Sequence, residues 1–540
     1  MKKIVSLALA LIMTLTLVCP AFAENTEEPK KDKIPIVYLR GDGNEIYDVN
    51  GNIAFPVSFD SSELPGKVAR VIFPHFINAV LFGKWEEYYD AFEAEVAPIF
   101  AAGALDENGN PTNGSDISTA SYNLNIENMN TDKVDEDGEY WLYDYTFWYD
   151  WRRDPLETAD LLHEYITTLK KTTGVEKVAL VGKCLGGSFV LAYLSKYGYN
   201  DIRSLAFDAT VGNGNEKFSE TYGGKILFDG EAFERSLIDD MYYNADTTDK
   251  YLADFILATV DLLNESGVCK VTAELVDFVY KKLYEGLTPR LGMAVYGTWP
   301  GYWSTATVED YPTAKKLVFG EEGSENYVKY KGLIEKLDRY DREVRQRIPE
   351  ILLGAKAAGV NVGILAKYGY QMMPLIESCD ELGDTLVTLK KASFGATCSK
   401  VYNTLSDEYI AERVEKGYGK YISPDKQVDA STCLFPDYTW IVKGVHHDTW
   451  AADDDQIIYN ICTYDGQYTV NTDSYYPQFM IYNDEDGYFY PMTEDNHNVT
   501  NWDAEEVEEH TPENFFKAFI NAIKAFFELI KREISEKFER

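Results

Sequence analysis

Short runs of consecutive apolar residues alternate with amphipathic stretches along residues 34–210. The runs predict buried strands, and the stretches between them repeat their apolar positions about every 3.6 residues, as helices with one buried face do. Strands are expected at residues 34–39, 68–73, 143–148, 178–181 and 203–210, and helices near residues 85–100, 155–171 and 187–197. This alternation predicts a mostly parallel sheet flanked by helices.

The apolar run at 178–181 leads directly into Gly182-Lys183-Cys184-Leu185-Gly186, which opens the third predicted helix. A strand, a glycine-flanked turn and a helix form a nucleophile elbow, G-x-S-x-G, here with cysteine in place of serine. Glycine is needed on both sides because the chain reverses sharply and the helix packs close to the strand. Free N–H groups at the helix start favour a thiolate and an adjacent oxyanion. The pattern predicts an acyl-transfer enzyme; the alternative is a small buried cysteine in a glycine-rich turn.

The strand pattern stops after residue 210 and gives way to aromatic-rich, mostly helical segments over residues 211–348. Helices are expected at 251–263 and 272–284, and the strands resume at 360–367. The insertion follows the strand after the elbow. It therefore predicts a large helical cap over the nucleophile.

These patterns divide the predicted fold into successive segments. They are a core in two parts (34–210 and 349–459), the cap (211–348), an acidic tyrosine-rich extension (460–510) and a C-terminal helix (511–540). The extension is expected to form short strands and turns, consistent with a hairpin flap.

The C-terminal helix is strongly amphipathic. It starts at Thr511-Pro512. Its apolar residues recur at helical spacing on one face, and its lysines lie on the other face. We expect it to dock on this protein or on a second copy. The alternative is an interfacial helix that binds a membrane peripherally.

Residues 1–23 have the organisation of a secretory signal peptide. They begin with basic residues, continue with an apolar stretch at 4–18 and end in an A-x-A sequence at Ala23. A charged lead-in at 24–33 follows and is expected to be disordered. We expect cleavage after Ala23 and a secreted, extracellular or cell-surface protein. The net charge of −38 makes nucleic acid and anionic membranes poor partners for the body of the protein.

A cysteine nucleophile needs a histidine base and an acid that orients it. Of the six histidines, His446 and His447 follow a strand-like run at 438–442, where the histidine of a chain ordered nucleophile, acid, histidine is expected. His447 is preferred and His446 is its rival. For the acid, Asp384 in Gly383-Asp384-Thr385-Leu386-Val387 is preferred, because a turn there would aim its carboxylate along the sheet edge. The competing aspartates are Asp380, Asp425 and Asp429.

The oxyanion hole is expected to use backbone N–H groups. Leu185 follows the nucleophile, and Gly41 or Asp42 in the loop after the first strand would supply a second donor.

Cysteine and acidic spacings give no metal pattern, so neither a metal nor a cofactor is expected. The run Asp453-Asp454-Asp455 is interpreted as a solvated loop. Cys398 and Cys433 are the candidate disulfide pair.

Four motifs carry a resemblance to a known family. Tyr149-Asp150-Trp151-Arg152, the elbow, Gly383-Asp384-x-x-Val387 and Gly444-x-x-His447 resemble Y-D-W-R, G-H-S-x-G, D-x-x-V and G-x-x-H of the lecithin:cholesterol acyltransferase-like branch of the α/β-hydrolases. The resemblance covers about residues 34–450, with Lys183 in place of histidine and Cys184 in place of serine. It implies an α/β-hydrolase fold with Cys184 as nucleophile, Asp384 as orienting acid and His447 as general base.

Together these observations predict an exported acyl hydrolase or acyltransferase. It would act through a thioester on a small-molecule or lipid ester, lipid-like or aryl. The alternative from another class is a hydrolase-fold protein without activity that binds a ligand or a cell-surface partner. The two differ in whether Cys184, Asp384 and His447 converge within hydrogen-bond reach.

Overall fold

The structure, a computed structural model, describes the chain from residue 34 to residue 497 with gaps. The described residues are 34–41, 46–47, 53–55, 71–100, 103–112, 125, 129, 140–229, 232, 236, 268–293, 296–484 and 486–497. The predicted signal peptide and lead-in, the helix expected at 251–263 and the C-terminal helix lie outside these residues, as does Asp42.

An eight-stranded sheet forms the centre of the described fold. In chain order the strands are β1 (Ile36–Leu39), β2 (Ile46–Tyr47), β3 (Ile53–Phe55), β4 (Tyr145–Thr146), β5 (Val178–Lys183), β6 (Ile202–Asp208), β7 (Asn361–Tyr368), β8 (Tyr370–Gln371), β9 (Leu382–Gly383), β10 (Thr397–Cys398), β11 (Val428–Asp429), β12 (Thr439–Lys443), β13 (Phe479–Asn483) and β14 (Tyr488–Pro491). Across the main sheet they run β4, β1, β5, β6, β7, β12, β13, β14. The remaining strands form short antiparallel pairs, β2 with β3, β8 with β9 and β10 with β11.

Every neighbouring pair in the main sheet is parallel except β13 with β14. The parallel sheet expected from the alternating pattern is thus confirmed. The carboxyl ends of parallel strands meet at one edge, which is where sites form in such sheets. The residues that follow β1, β5, β6 and β12 are therefore neighbours in space.

Helices cover both faces of the sheet and form the cap. They are α1 (Phe73–Phe82), α2 (Trp85–Phe100), α3 (Pro155–Thr173), α4 (Gly186–Tyr197), α5 (Glu216–Gly223), α6 (Val268–Leu291), α7 (Pro300–Trp303), α8 (Tyr311–Phe319), α9 (Glu325–Lys329), α10 (Lys331–Glu343), α11 (Ile348–Ala357), α12 (Leu389–Ala392), α13 (Asp407–Glu415) and α14 (Ala452–Thr463). Buried side chains of α3, α4 and α11 share one apolar core with the sheet, and α14 shares the other. No helix among the described residues is long and apolar enough to cross a membrane.

Helix α3 shows how the local sequence sets an element's limits. The carboxylate of Asp154 accepts a hydrogen bond of 2.8 Å from the N–H of Leu156, and Pro155 occupies the first turn. Gly174 ends the helix with a left-handed φ of 77°. The prediction of a helix from residue 155 is confirmed, and it extends two residues beyond 171.

The strand predicted at 68–73 is wrong over the part that the structure describes. Residues 71–72 are helical and lead into α1, which begins at Phe73. Pro74 stands in the first turn of α1, where proline fits a helix because no backbone donor is needed there. The apolar run predicted as a strand has the composition of one, but its described residues are helical.

The extension predicted from residue 460 is part of the core. Strand β13 pairs in parallel with β12 and continues the main sheet, and β14 folds back beside it as the expected hairpin. Helix α14 crosses the predicted boundary at 459–460. The hairpin is therefore an edge of the sheet and not a separate flap.

The interpretation of Asp453-Asp454-Asp455 as a solvated loop is wrong. All three aspartates lie in the first turn of α14, and all three are buried. Asp453 accepts hydrogen bonds of 2.6 Å from the hydroxyl of Tyr476 and 2.6 Å from the N–H of Phe489. Asp454 pairs with Lys367 at 2.7 Å, and Asp455 accepts from the hydroxyl of Tyr143. Each aspartate of the run thus has at least one partner that is distant in the chain.

The predicted disulfide between Cys398 and Cys433 is wrong, because both cysteines are free thiols. Burial raises the pKa of the Cys433 thiol to about 12, so this thiol stays protonated at neutral pH.

Candidate active site

Cys184 lies at the sharp turn between β5 and α4. Its φ is 49°, a left-handed value that is strained for a residue other than glycine, and the residue is only 8% exposed. The N–H of Cys184 donates to the carbonyl of Asp208 at 3.0 Å, and the hydroxyl of Thr210 donates to the carbonyl of Cys184 at 3.2 Å. These bonds from the neighbouring strand hold the strained turn in place.

The glycines of the elbow permit close backbone contacts. A β-carbon on Gly182 would lie 2.7 Å from the α-carbon of Gly187, and one on Gly186 would lie 2.3 Å from the carbonyl oxygen of Leu39. Neither distance leaves room for a side chain. The helix can therefore start directly against β1, with the N–H groups of its first turn at the nucleophile.

His447 and Asp384 are in direct contact. The imidazole Nδ1 of His447 lies 2.8 Å from Oδ2 of Asp384, and both side chains are buried. The backbone N–H of His447 also donates to the carbonyl of Asp384 at 2.8 Å. This double connection fixes both the ring and the loop that carries it.

A tight turn holds the carboxylate of Asp384. Its Oδ1 accepts from the N–H groups of Leu386 at 3.1 Å and Val387 at 2.9 Å, and Thr385, which follows Asp384, has a φ of 80°. One carboxylate oxygen is thus occupied by the backbone and the other faces the imidazole. That arrangement keeps a proton on Nδ1 and leaves Nε2 to accept one.

The remaining ring nitrogen, Nε2 of His447, lies near the Cys184 thiol. Burial alone would lower the pKa of His447, but the charges of Asp384 and then Cys184 outweigh it, and the pKa is raised well above its ordinary value. The contact with the thiol does not have the geometry of a formed hydrogen bond, and Nε2 is buried without another partner among the described residues. Such contacts are often loose before a substrate binds.

Gly41 stands beside the nucleophile at the end of β1. A β-carbon on Gly41 would lie 3.2 Å from the sulfur of Cys184 and 3.7 Å from the backbone nitrogen of Leu185. The structure thus brings together Gly41, Leu185 and Cys184. The other expected donor, Asp42, lies outside the described residues.

Tyr149 fixes the peptide that contains the Gly41 N–H. Its hydroxyl donates to the carbonyl oxygen of Arg40 at 2.5 Å. Because the peptide unit is planar and trans, holding that oxygen also sets the direction of the N–H on Gly41. The sequence singled out Tyr149 only as part of a family motif; this role appears with the structure.

The other residues of that motif join the core to the cap. The buried Arg152 forms two hydrogen bonds to the carboxylate of Asp150, at 3.0 and 2.9 Å, and a third to the carbonyl of Gly103 at 2.8 Å. Trp151 packs edge-on against Trp299 of the cap, with ring centroids 5.3 Å apart. The motif is therefore a structural anchor next to the site.

The rival residues have other partners. The ring of His446 packs at a tilt against the ring of Tyr370, with ring centroids 3.7 Å apart. Asp380 pairs with Lys400 at 2.8 Å, Asp425 accepts from Tyr368 at 2.8 Å, and Asp429 pairs with Arg413 at 2.7 Å. Only Asp384 among the candidate aspartates contacts His447 in the described part of the chain.

Lys183 pairs with Asp208, the residue opposite it in the sheet. Its Nζ lies 3.0 Å from Oδ2 of Asp208, whose side chain is 3% exposed. Burial disfavours the charged form of both side chains. The attraction between the two opposite charges outweighs this effect, so the pKa of Lys183 is raised and the pKa of Asp208 is lowered. Sequence reasoning missed this pair; the charged ends of two otherwise apolar strands are the signal that could have found it.

A second buried ion pair lies beside the first. Lys367 of β7 pairs with Asp454 and also donates to the carbonyl of Thr449, in the loop after His447, at 3.0 Å. Burial raises the pKa of Asp454, with Lys367 as the main opposing charge. The described residues contain no group of three or more histidines, cysteines or acids arranged to hold a metal ion.

The comparison with protein families agrees with this architecture. The family described as alpha/beta hydrolase fold matches residues 114–491, which is most of the chain. The chain therefore belongs to the α/β-hydrolase fold family, and this membership supports a hydrolase role in general terms. No curated protein matched the sequence in the same set of comparisons.

Proposed function

We propose that this protein is an exported acyl hydrolase or acyltransferase that acts on a carboxylic ester, lipid-like or aryl, through a thioester on Cys184. His447 is the general base and Asp384 orients it. The observation that carries the proposal is the placement of His447: Asp384 holds its Nδ1 at 2.8 Å, and its Nε2 lies near the thiol of the elbow. The resemblance of four motifs to the lecithin:cholesterol acyltransferase-like branch supports the same roles.

The first half of the reaction forms the acyl-enzyme. His447 Nε2 takes the proton of the Cys184 thiol, and the thiolate attacks the ester carbonyl carbon. The carbonyl oxygen becomes an oxyanion that accepts hydrogen bonds from the N–H groups of Leu185 and Gly41. When the intermediate collapses, the C–O bond breaks and the leaving alcohol takes the proton from the imidazolium.

The second half releases the acyl group. Water, or an alcohol in the case of transfer, approaches the thioester and gives a proton to His447 Nε2 as its oxygen attacks the carbonyl carbon. The same N–H groups bind the second oxyanion. The C–S bond then breaks, the thiolate regains the proton from the imidazolium, and the acid or the new ester leaves.

The first test is the rate of cysteine alkylation. We expect iodoacetamide to label Cys184 rapidly at neutral pH, because His447 can take the proton of the thiol. His447→Ala should abolish that reactivity, and Cys184→Ala should abolish the label, as located by mass spectrometry. The buried Cys462 is the internal control, since burial raises its thiol pKa and it should remain unlabelled.

An inert Cys184 in the folded wild-type protein would contradict the catalytic proposal. It would favour instead a hydrolase-fold protein that binds a ligand or a cell-surface partner without turning it over. Two other expectations need their own tests. Export is tested by sequencing the N-terminus of the mature protein. The role of residues 511–540 in membrane binding or self-association is tested by comparing the full chain with a chain that ends at residue 510.

A further inference from the structure

Helix α5 carries two buried carboxyl groups that the proposed mechanism does not use. Glu216 and Glu220 are 9% and 7% exposed, and residues four positions apart share one face of a helix. Burial raises the pKa of both carboxyls, and the charge of Glu216 raises the pKa of Glu220 further. Apolar residues of similar size would pack on this face without the cost of burying a polar group. The two acids therefore need an explanation beyond the packing of α5.

Each carboxyl accepts a hydrogen bond from one end of the segment that carries Asp384. The hydroxyl of Thr388 donates to Oε1 of Glu216 at 2.8 Å. The N–H of Ser378 donates to Oε2 of Glu220 at 2.9 Å. A helix rises about 1.5 Å per residue, so the two acids are separated by about 6 Å along the axis of α5. Helix α5 thus holds both ends of this segment at a fixed spacing.

The bond from Thr388 closes the turn of the orienting acid. Gly383 and Thr388 face each other as an isolated antiparallel bridge. Between them, the N–H of Asp384 donates to the carbonyl of Val387 at 3.2 Å. The hydroxyl of Thr388 has one proton, and it donates that proton to Glu216. Because Thr388 ends the turn whose N–H groups hold the carboxylate of Asp384, its position sets the position of those donors.

Helix α5 is itself held from two sides. On the cap side, the hydroxyl oxygen of Ser219 accepts from the N–H of Thr307 at 2.8 Å. On the nucleophile side, the N–H of Val211, in the loop that leads from β6 to α5, donates to the carbonyl of Cys184 at 3.2 Å. The helix therefore links the elbow to the acid turn, and the acceptor on Glu216 has a defined place relative to both.

We propose that Glu216 is a positioning residue of the candidate active site. It fixes the turn of Asp384 through Thr388 and so holds the carboxylate against His447, while Glu220 supports the same segment from its other end. The proposal rests on the proposed function, because the group that Glu216 helps to orient is the general base of that reaction. Glu216 acts through Thr388 and not by contact with the substrate.

The kinetic test compares two substitutions of Glu216 in the full chain. Glu216→Leu removes the acceptor and keeps a side chain of similar size, so kcat for p-nitrophenyl acetate should fall about tenfold while KM stays the same. Glu216→Gln keeps an oxygen that can accept from Thr388, so its kcat should equal that of the wild type. Lys217→Gln is the matched control, because Lys217 is exposed on the same helix. Wild-type kcat in folded Glu216→Leu, or an equal fall in both Glu216 variants, would overturn the proposal.

Thr388 tests the same bond from its other end, also in the event that Glu216→Leu does not fold. Thr388→Val removes the hydroxyl and should lower kcat, whereas Thr388→Ser keeps the hydroxyl and should match the wild type. The double variant Glu216→Leu/Thr388→Val should lose no more than Thr388→Val alone, because the two residues share one interaction. A larger loss in the double variant, or wild-type kcat in folded Thr388→Val, would contradict the assigned role.

A spectroscopic measurement separates this proposal from the proposed function. The proton on Nδ1 of His447, which faces the carboxylate of Asp384, should give a far-downfield proton NMR resonance that His447→Gln removes. Glu216→Leu should weaken or shift this resonance, and Glu216→Gln should leave it in place. A resonance that neither variant changes would overturn the positioning role, whatever the activity. A protein that cleaves no ester, but whose resonance responds to Glu216→Leu alone, would sink the catalytic proposal and keep the role of Glu216 in placing Asp384.

Discussion

At the scale of single residues, the candidate site depends on a few hydrogen bonds that the chain makes to itself. Cys184 has a strained φ of 49°, and the carbonyl of Asp208 and hydroxyl of Thr210 hold it. Asp384 uses one carboxylate oxygen for its own turn and the other for His447. Each polar group around the nucleophile is thereby given one orientation before any substrate arrives.

Tyr149 offers a test of the oxyanion geometry. Tyr149→Phe removes the hydroxyl that holds the Arg40 carbonyl, so the Gly41 N–H loses its fixed direction, and we expect kcat for an ester to fall about tenfold, less than the loss of a direct donor. The rate of Cys184 alkylation should stay the same, because alkylation forms no oxyanion. The control is Tyr165→Phe, whose buried hydroxyl has no hydrogen-bond partner among the described residues. A parallel fall in alkylation would indicate a general disturbance of the elbow.

At the scale of elements, the charged ends of parallel strands form buried pairs behind the nucleophile. Strand β5 ends in Lys183 and β6 ends in Asp208, which lie opposite each other in register. Lys367 of β7 pairs with Asp454 of α14 on the same side. The charge of His447 also acts on Asp208. The charges of Asp208 and Asp455 act on two neighbouring tyrosines, Tyr38 and Tyr143. The edge of the sheet thus carries balanced charge next to the site.

This balance predicts opposite shifts for two variants. Lys183→Met leaves the negative charge of Asp208 uncompensated, which disfavours a nearby thiolate, so alkylation of Cys184 at neutral pH should slow. Asp208→Asn leaves Lys183 uncompensated, so alkylation at the same pH should become faster. The double variant should return close to the wild type. If both single variants shift in the same direction, the pair acts through structure and not through charge.

The same scale shows why some elements were predicted and others were not. Some elements have strongly periodic apolar positions and clear boundary residues, namely strands β5 and β6 and helices α3 and α4. The structure places these elements within a few residues of the prediction. The run at 68–73 has the composition of a strand, but the packing of α1 against α2 decides its structure. The three adjacent aspartates look solvated because their partners, Lys367, Tyr476 and Tyr143, are distant in sequence.

At the scale of the whole molecule, the contact between His447 and Asp384 joins two distant loops of the core and couples stability to pH. The pKa of His447 is raised in the folded protein, so the protonated ring stabilises the fold. That contribution is fully present below the unfolded histidine pKa of about 6.5 and is lost as the pH rises through the higher folded pKa.

The corresponding measurement is urea unfolding of the wild type and His447→Gln from about pH 6 to about pH 10. The difference in the free energy of unfolding should be largest at the acidic end and shrink as the pH rises. Asp384→Asn should remove most of the same pH dependence, because the carboxylate is the main charge that raises the histidine pKa. A difference that grows with pH would contradict the assigned direction of the shift.

The sequence by itself determined the parallel sheet, the elbow with Cys184 and the order of the candidate acid and histidine. These are local features, since period, glycine spacing and turn residues act over a few neighbouring positions. Only the tertiary structure decided that Asp384 contacts His447, that Tyr149 holds the Arg40 carbonyl and that Lys183 is paired with Asp208. Each of these contacts joins separate segments of the chain, and which distant partner meets a polar side chain is decided by the packing of the whole core.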